Sequence, residues 1–242
     1  RPDITQSYGC GLQHMLFLLA LGTAGEPACA VVVALGNLAL LLAVLGAARR
    51  AGLGEASWAA PATVVAMPFF ALFAKNLEVD LALASALVLT LFWFEEWRRR
   101  RSPGALLLVA LLAGIAGGTK YTGYLLCPFL LAARIWIEAR APHRRWGACA
   151  RDLALLALIP LAVNLPQLAR NAVWTGNPLY PYLSGLLGGA PVTGMLTADP
   201  AALRLTDLLA LPWTLSTRDP RVGPLFAIFL PTLLVFRPRA GF

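Results

Sequence analysis

The sequence predicts an all-α fold, a polytopic bundle of about seven transmembrane helices with one further helix in the outer interface. Three observations carry this reading. The chain of 242 residues is 59% hydrophobic and only 13% charged, with a mean hydropathy of +0.70; soluble domains run near 25% charged. The apolar residues fall in long uninterrupted runs. Between those runs the arginines cluster, as they do in loops retained on one side of a bilayer.

A spanning helix needs about 20 mostly apolar residues. The runs that meet or approach this length are 28–48, 57–74, 81–97, 104–118, 121–137, 153–168 and a weaker one at 223–236. The apolar stretch 13–21 is too short to span, and counting it as a crossing would invert every later loop. It therefore reads as a helix in the outer interface.

Alternation of the seven runs places Arg49, Arg50, Arg98 to Arg101, the five arginines from Arg134 to Arg151, Arg237 and Arg239 on one side. These are thirteen of the twenty basic residues, and the positive-inside rule makes that side cytoplasmic. The net charge of +8 is thus an orientation signal. Nucleic acid is excluded as a partner, because the arginines sit in separate short loops where anchoring to lipid headgroups explains them. Most tryptophans lie near expected membrane boundaries, as an aromatic belt.

Cys10, Cys29, Cys127 and Cys149 form no CxxC pair, so they read as small hydrophobes, and no metal site is expected. Cys10 and His14 are four apart, but no other ligand type accompanies them. GxSxG, P-loop, complete GxGxxG and HExxH signatures are all missing.

The opposite, outer side holds three unusual segments. The first is the loop 75–80, with Lys75, Glu78 and Asp80 at a helix entry. A carboxylate there is favoured by the helix dipole as a simple cap, or it faces a polar cavity and orients a substrate. The second is 114–123, where glycines flank Lys120, the one basic residue between positions 102 and 133. Lys120 either snorkels to the headgroups or offers a point charge to a phosphate. The third runs from Arg170 and Asn171 through Asn177 to Tyr180 and Tyr182, after a helix that contains Pro160 and Pro166. It opens an outer loop expected at 171–222. Its Asn177-Pro178 step is a turn initiator, and its Arg, Asn and Tyr residues would equally suit a hydroxylated, phosphorylated ligand.

Taken together, these segments resemble a known family. The interfacial helix, Ala48-Arg49-Arg50, the stretch Val79-Asp80-Leu81-Ala82-Leu83-Ala84, Gly117-Gly118-Thr119-Lys120-Tyr121-Thr122, Arg170-Asn171 and Thr175-Gly176-Asn177-Pro178-Leu179-Tyr180-Pro181 look like the membrane glycosyltransferases of family 39 type. These are GT-C enzymes related to the protein O-mannosyltransferases and the lipid A aminoarabinose transferase. The resemblance covers residues 13–182, and the pairing of Thr-Lys-Tyr with Gly-Asn-Pro-Leu-Tyr-Pro is its specific part.

The resemblance implies a multi-pass enzyme of the cell (inner) membrane that moves a sugar from a polyprenyl-phosphate donor to an acceptor on the extracytoplasmic face. The acceptor is not named by it. Lys120 and Arg170 would contact the donor phosphate, Asp80 and Glu78 would be the catalytic carboxylates, and Tyr121, Asn171, Asn177 and Tyr180 would bind substrate. The family's principal acid lies in the first outer loop as a base or metal ligand. It is expected upstream of residue 1, the chain reading as a single membrane domain (1–242) truncated at both ends. A divalent metal is the one cofactor this leaves open. A lipid or solute transporter and a silent membrane scaffold are the competing readings; the absence of ionisable residues from the middle of any expected helix weighs against the transporter.

Overall fold

The computed structural model describes residues 11–76, 78–180 and 182–188. The expected crossing at 223–236 and the loop beyond 188 lie outside the described residues. Within them every regular element is a helix.

Helix α1 (Leu12–Ala24) turns at Gly25 (φ +74) into α2 (Glu26–Arg50). At 13 residues α1 is about 20 Å long and cannot span. It folds back along the first half of α2, burying Phe17 and Ala20 against Cys29, whose thiol donates to the Phe17 carbonyl at 3.3 Å. The run 57–74, expected as one helix, is broken. A 3-10 turn (Gly54–Trp58) leads into α3 (Ala59–Ala66), and α4 (Pro68–Phe73) comes after Met67, which is extended (φ −69, ψ 130). The cause is local, since a residue before proline is pushed out of the α region. The broken segment still returns along α2. The Arg49 guanidinium lies over the Trp58 ring at one end, and the Asn37 amide donates to the Ala74 carbonyl at the other.

The remaining helices are α5 (Asp80–Arg100), α6 (Pro103–Thr119), a 3-10 turn (Tyr121–Leu125), α7 (Leu126–Ala139), α8 (Trp146–Thr175) and a short α9 (Ser184–Leu187); α5, α6 and the turn with α7 fall within three residues of the expected runs, whereas α8 exceeds 153–168 by seven residues at each end and α9 lies inside the expected loop. Among the described residues α2, the stretch Tyr121–Ala139 and α8 are long and apolar enough to cross a membrane, while α1 and α6 are shorter apolar helices. Helix α8 runs past Arg170 and Asn171 to Thr175, where Gly176 (φ +74) ends it. The loop therefore starts five residues later than the polar run suggests.

Helix α6 is the centre of the bundle, packed between α5 and α8. Its buried Ala105, Ala110, Ala113, Gly114, Ala116 and Gly117 let backbones approach closely. A Cβ on Gly114 would stand 3.1 Å from the Cα of Pro160. The outer surface is apolar, unlike that of a soluble bundle. Leu35, Leu38 and Leu42 of α2 and Leu158, Leu161 and Leu165 of α8 face outward, whereas Ser85, Thr90 and Asn164 are buried. Large exposed leucines around a core that is itself apolar, with hydrogen-bonded polar groups set inside it, suit hydrocarbon as solvent.

Helices α2, α5 and α7 descend toward an arginine-rich end, and α6 and α8 ascend from it. That end is more than the set of headgroup anchors expected from the sequence. Arg134 is 1% exposed. It donates to Glu138 at 2.9 Å and to Asp152 at 3.0 Å, and its guanidinium lies 5.3 Å from the Trp97 ring centroid. Glu138 also accepts from the backbone N–H of Arg145. Glu96 likewise holds Arg50 and Arg100. A buried guanidinium demands such partners, and they bolt α7 to α8.

Candidate functional site

The opposite end assembles the residues that the sequence singled out. Lys120 lies between α6 and the adjoining 3-10 turn in extended backbone (φ −154, ψ 143), and its N–H closes the last turn of α6 onto the Ala116 carbonyl at 3.1 Å. The chain must then reverse within a few residues, and the glycines make this possible. A Cβ on Gly123 would lie 2.1 Å from the Ala116 carbonyl oxygen, and one on Gly117 would lie 2.8 Å from the Tyr124 ring. The 3-10 turn thus sits directly on the backbone of α6. Gly118 is equally confined, with the Asn164 Oδ1 2.7 Å from where its Cβ would be. These glycines are a packing device that fixes where Lys120 begins.

The Lys120 ammonium meets Asp80 Oδ1 at 2.6 Å. Asp80 is the first residue of α5, and Val79, with no capping side chain, precedes it. The carboxylate is therefore not spent as an N-cap, although the dipole still favours it there. Both groups remain partly accessible, with side chains 44% and 27% exposed. Glu78 is exposed two residues earlier. It borders a small crevice with Gln13, Asn37 and Phe73.

Arg170 stands on α8 with its guanidinium 5.4 Å from the centroid of the Trp174 ring. With Gly118, Asn164, Gln167, Leu12 and Met15 it lines a cleft of about 260 Å³ between α1, α6 and α8. Asn164 forms part of the cleft wall and is 2% exposed; its amide donates to the carbonyls of Gly114 and Pro160 at 2.9 and 2.8 Å. Asn164 is a residue the sequence reading passed over. Its position seven residues before Asn171 on α8, the same helical face, was the available signal.

Tyr121, Asn171 and Tyr180 come together. The Tyr121 hydroxyl donates to the Tyr180 carbonyl at 2.5 Å. The fully buried Asn171 amide donates to the Tyr121 hydroxyl at 3.2 Å and to the same carbonyl at 3.3 Å. The Tyr182 ring meets Tyr121 edge-on, with centroids 4.8 Å apart. Asn177 is also fully buried, and it shapes the loop. Its Oδ1 accepts from the Leu179 N–H at 2.9 Å, an Asx turn, and its amide donates to the Tyr182 carbonyl at 2.8 Å.

Chemically, this end offers a carboxylate and an ammonium in contact, a guanidinium on the wall of a mostly apolar cleft, and an aromatic rim. Among the described residues no three His, Cys, Asp or Glu side chains group to hold a metal.

Comparison with known proteins agrees with the architecture. No curated protein and no solved structure matches the chain closely enough to add to this. A model of the family described as dolichyl-phosphate-mannose-protein mannosyltransferase matches residues 12–168, α1 through most of α8. That span includes Asp80 and Lys120 and covers well over half of the sequence. The chain belongs to this family, and so to the GT-C membrane glycosyltransferases.

Proposed function

We propose that the protein transfers a sugar from a polyprenyl-phosphate donor to an acceptor on the extracytoplasmic face of the cell (inner) membrane. The observation that carries this reading is the Lys120–Asp80 contact two residues from the Gly118 wall of the Arg170 cleft. Glycosyl transfer from a lipid phosphate breaks the bond between the anomeric carbon and a phosphate oxygen while an acceptor oxygen attacks that carbon. Negative charge grows on the leaving phosphate, which needs cations held in place beforehand. Lys120 and Arg170 supply them. The acceptor hydroxyl loses its proton to a carboxylate, and Asp80, with Glu78 beside it, is the candidate present here.

The cleft supports the donor assignment by its mixed lining. Leu12, Met15 and Val163 offer an apolar wall suited to an isoprenoid chain, and Gln167 and Arg170 offer the polar one. Tyr121 and Tyr182 form the rim where a sugar would lie.

The test uses the full-length protein and a polyprenyl-phosphate sugar with a labelled sugar. Release of polyprenyl phosphate together with appearance of the label on an acceptor is the expected result. Movement of the intact lipid-linked sugar across vesicles, without bond cleavage, would instead place the protein among the transporters.

A further inference from the structure

Resting on that reading of Lys120, we propose that Asn171 is a positioning residue that acts on Lys120 through Tyr121. In this scheme the loop after α8 and the phosphate-facing cation form one mechanical unit.

Lys120 is tied to its own helix by one backbone bond, its N–H to the Ala116 carbonyl. It lies at the end of α6 in extended backbone, and its side chain is nearly half exposed. Its place is set by the residues just after it in the chain. On one side Gly123 rests on the Ala116 and Gly117 backbone, fixing the far end of the turn. On the other, Tyr121 is the adjacent residue, and its hydroxyl is held from across the molecule. The Tyr180 carbonyl accepts from it, and Asn171 donates to both oxygens. One amide thus joins the last turn of α8, the Lys120 corner and the returning loop.

Burial decides between positioning and direct binding. Asn171 is 0% exposed, so its amide reaches no ligand while the clasp is closed. Removing the amide keeps the Tyr121–Tyr180 hydrogen bond but takes a second donor from both of its oxygens in a poorly hydrated place, a costly change. Relief comes from moving the loop or the Tyr121 corner, and a shift in the corner carries Lys120 with it.

The experiment places the full-length protein in lipid nanodiscs and monitors amide hydrogen exchange in wild type, Asn171→Ala, Asn171→Gln, Tyr121→Phe and the Asn171→Ala/Tyr121→Phe double variant. Binding of a polyprenyl phosphate to the same samples is measured in parallel. In each single variant, exchange should rise together in 120–123 and 176–183 while α5 and the middle of α6 keep their protection. Polyprenyl phosphate should bind about tenfold more weakly, the scale of one lost buried hydrogen bond. The double variant should be no worse than the poorer single one, because both changes open one network. Exchange that rises in the loop alone with 120–123 unchanged, or effects that add, would overturn the clasp. Tyr121→Phe removes a single oxygen, so it carries the test if Asn171→Ala does not fold. Coupled exchange in a protein whose wild type binds no polyprenyl phosphate would uphold the link and overturn the donor assignment, so the two failures are separable.

Discussion

Lys120 and Asp80 lie forty residues apart in sequence, and their side chains touch at 2.6 Å. Because both are partly exposed, the pair falls in the class of ion pairs worth at most about 1 kcal/mol to stability. It is therefore a poor clamp, and in the proposed function it keeps the ammonium beside a partner that a donor phosphate would displace.

Substitution of the pair should separate binding from turnover. Lys120→Ala is expected to lower the rate of polyprenyl phosphate release about 10²- to 10³-fold, the usual cost of losing one group that stabilises a developing anion. Lys120→Arg should recover part of it. Asp80→Asn should bind polyprenyl phosphate up to about fivefold more tightly, the equivalent of about 1 kcal/mol, and yet turn over more slowly. Weaker binding in Asp80→Asn would mean that Asp80 serves to hold Lys120 in place.

The glycine corner gives a prediction about folding. Gly123→Ala would put a methyl 2.1 Å from the Ala116 carbonyl oxygen, and backbone offers no flexible end to move aside. A loss at or beyond the upper part of the 1–3 kcal/mol range for overpacking is expected, read as a lower midpoint of thermal unfolding in detergent. Gly147→Ala, with nothing within 4 Å of the added methyl, is the control and should leave the midpoint within a degree or two.

At the arginine-rich end the buried network should dominate stability. Arg134→Met strips Asp152 of its closest buried partner, and breaking such a pair costs about 3–5 kcal/mol. Arg151→Ala removes a cation that is 68% exposed at 3.2 Å from the same carboxylate and should cost less than about 1 kcal/mol. Equal effects of the two changes on the unfolding midpoint would contradict the burial of Arg134.

These sites differ in how far the sequence exposed them. The ends of α2, α5 and α6 were legible because arginines, Pro103 and Lys120 interrupt the apolar runs within two or three residues of the true ends. The end of α8 was not, because Arg170, Asn171 and Thr175 look like a polar exit while in the fold they complete two further helical turns. Asp80 and Lys120 were each marked by charge in an apolar setting, but their contact depends on α5 and α6 packing side by side. The burial of Arg134 was hidden for the same reason: Glu138 is one turn away, whereas Asp152 comes from the next helix. Glycines at 117, 118 and 123 announced close approach without naming Tyr124, Asn164 or Ala116 as the neighbours.

Orientation in the membrane rests on the same separation of ends and can be measured directly. Thr122 is exposed beside Lys120, and Arg144 is exposed between α7 and α8. The native thiols interfere little, since Cys29 and Cys149 are buried and Cys127 is half-buried; Cys10→Ala removes the fourth. In that background Thr122→Cys should react with a membrane-impermeant maleimide added to intact cells, and Arg144→Cys should react only after permeabilisation. The arginines concentrated beside position 144 are the physical reason, because positively charged loops are retained on the cytoplasmic side. The reverse pattern would place Lys120 and Asp80 in the cytoplasm and remove the extracytoplasmic transfer proposed for them.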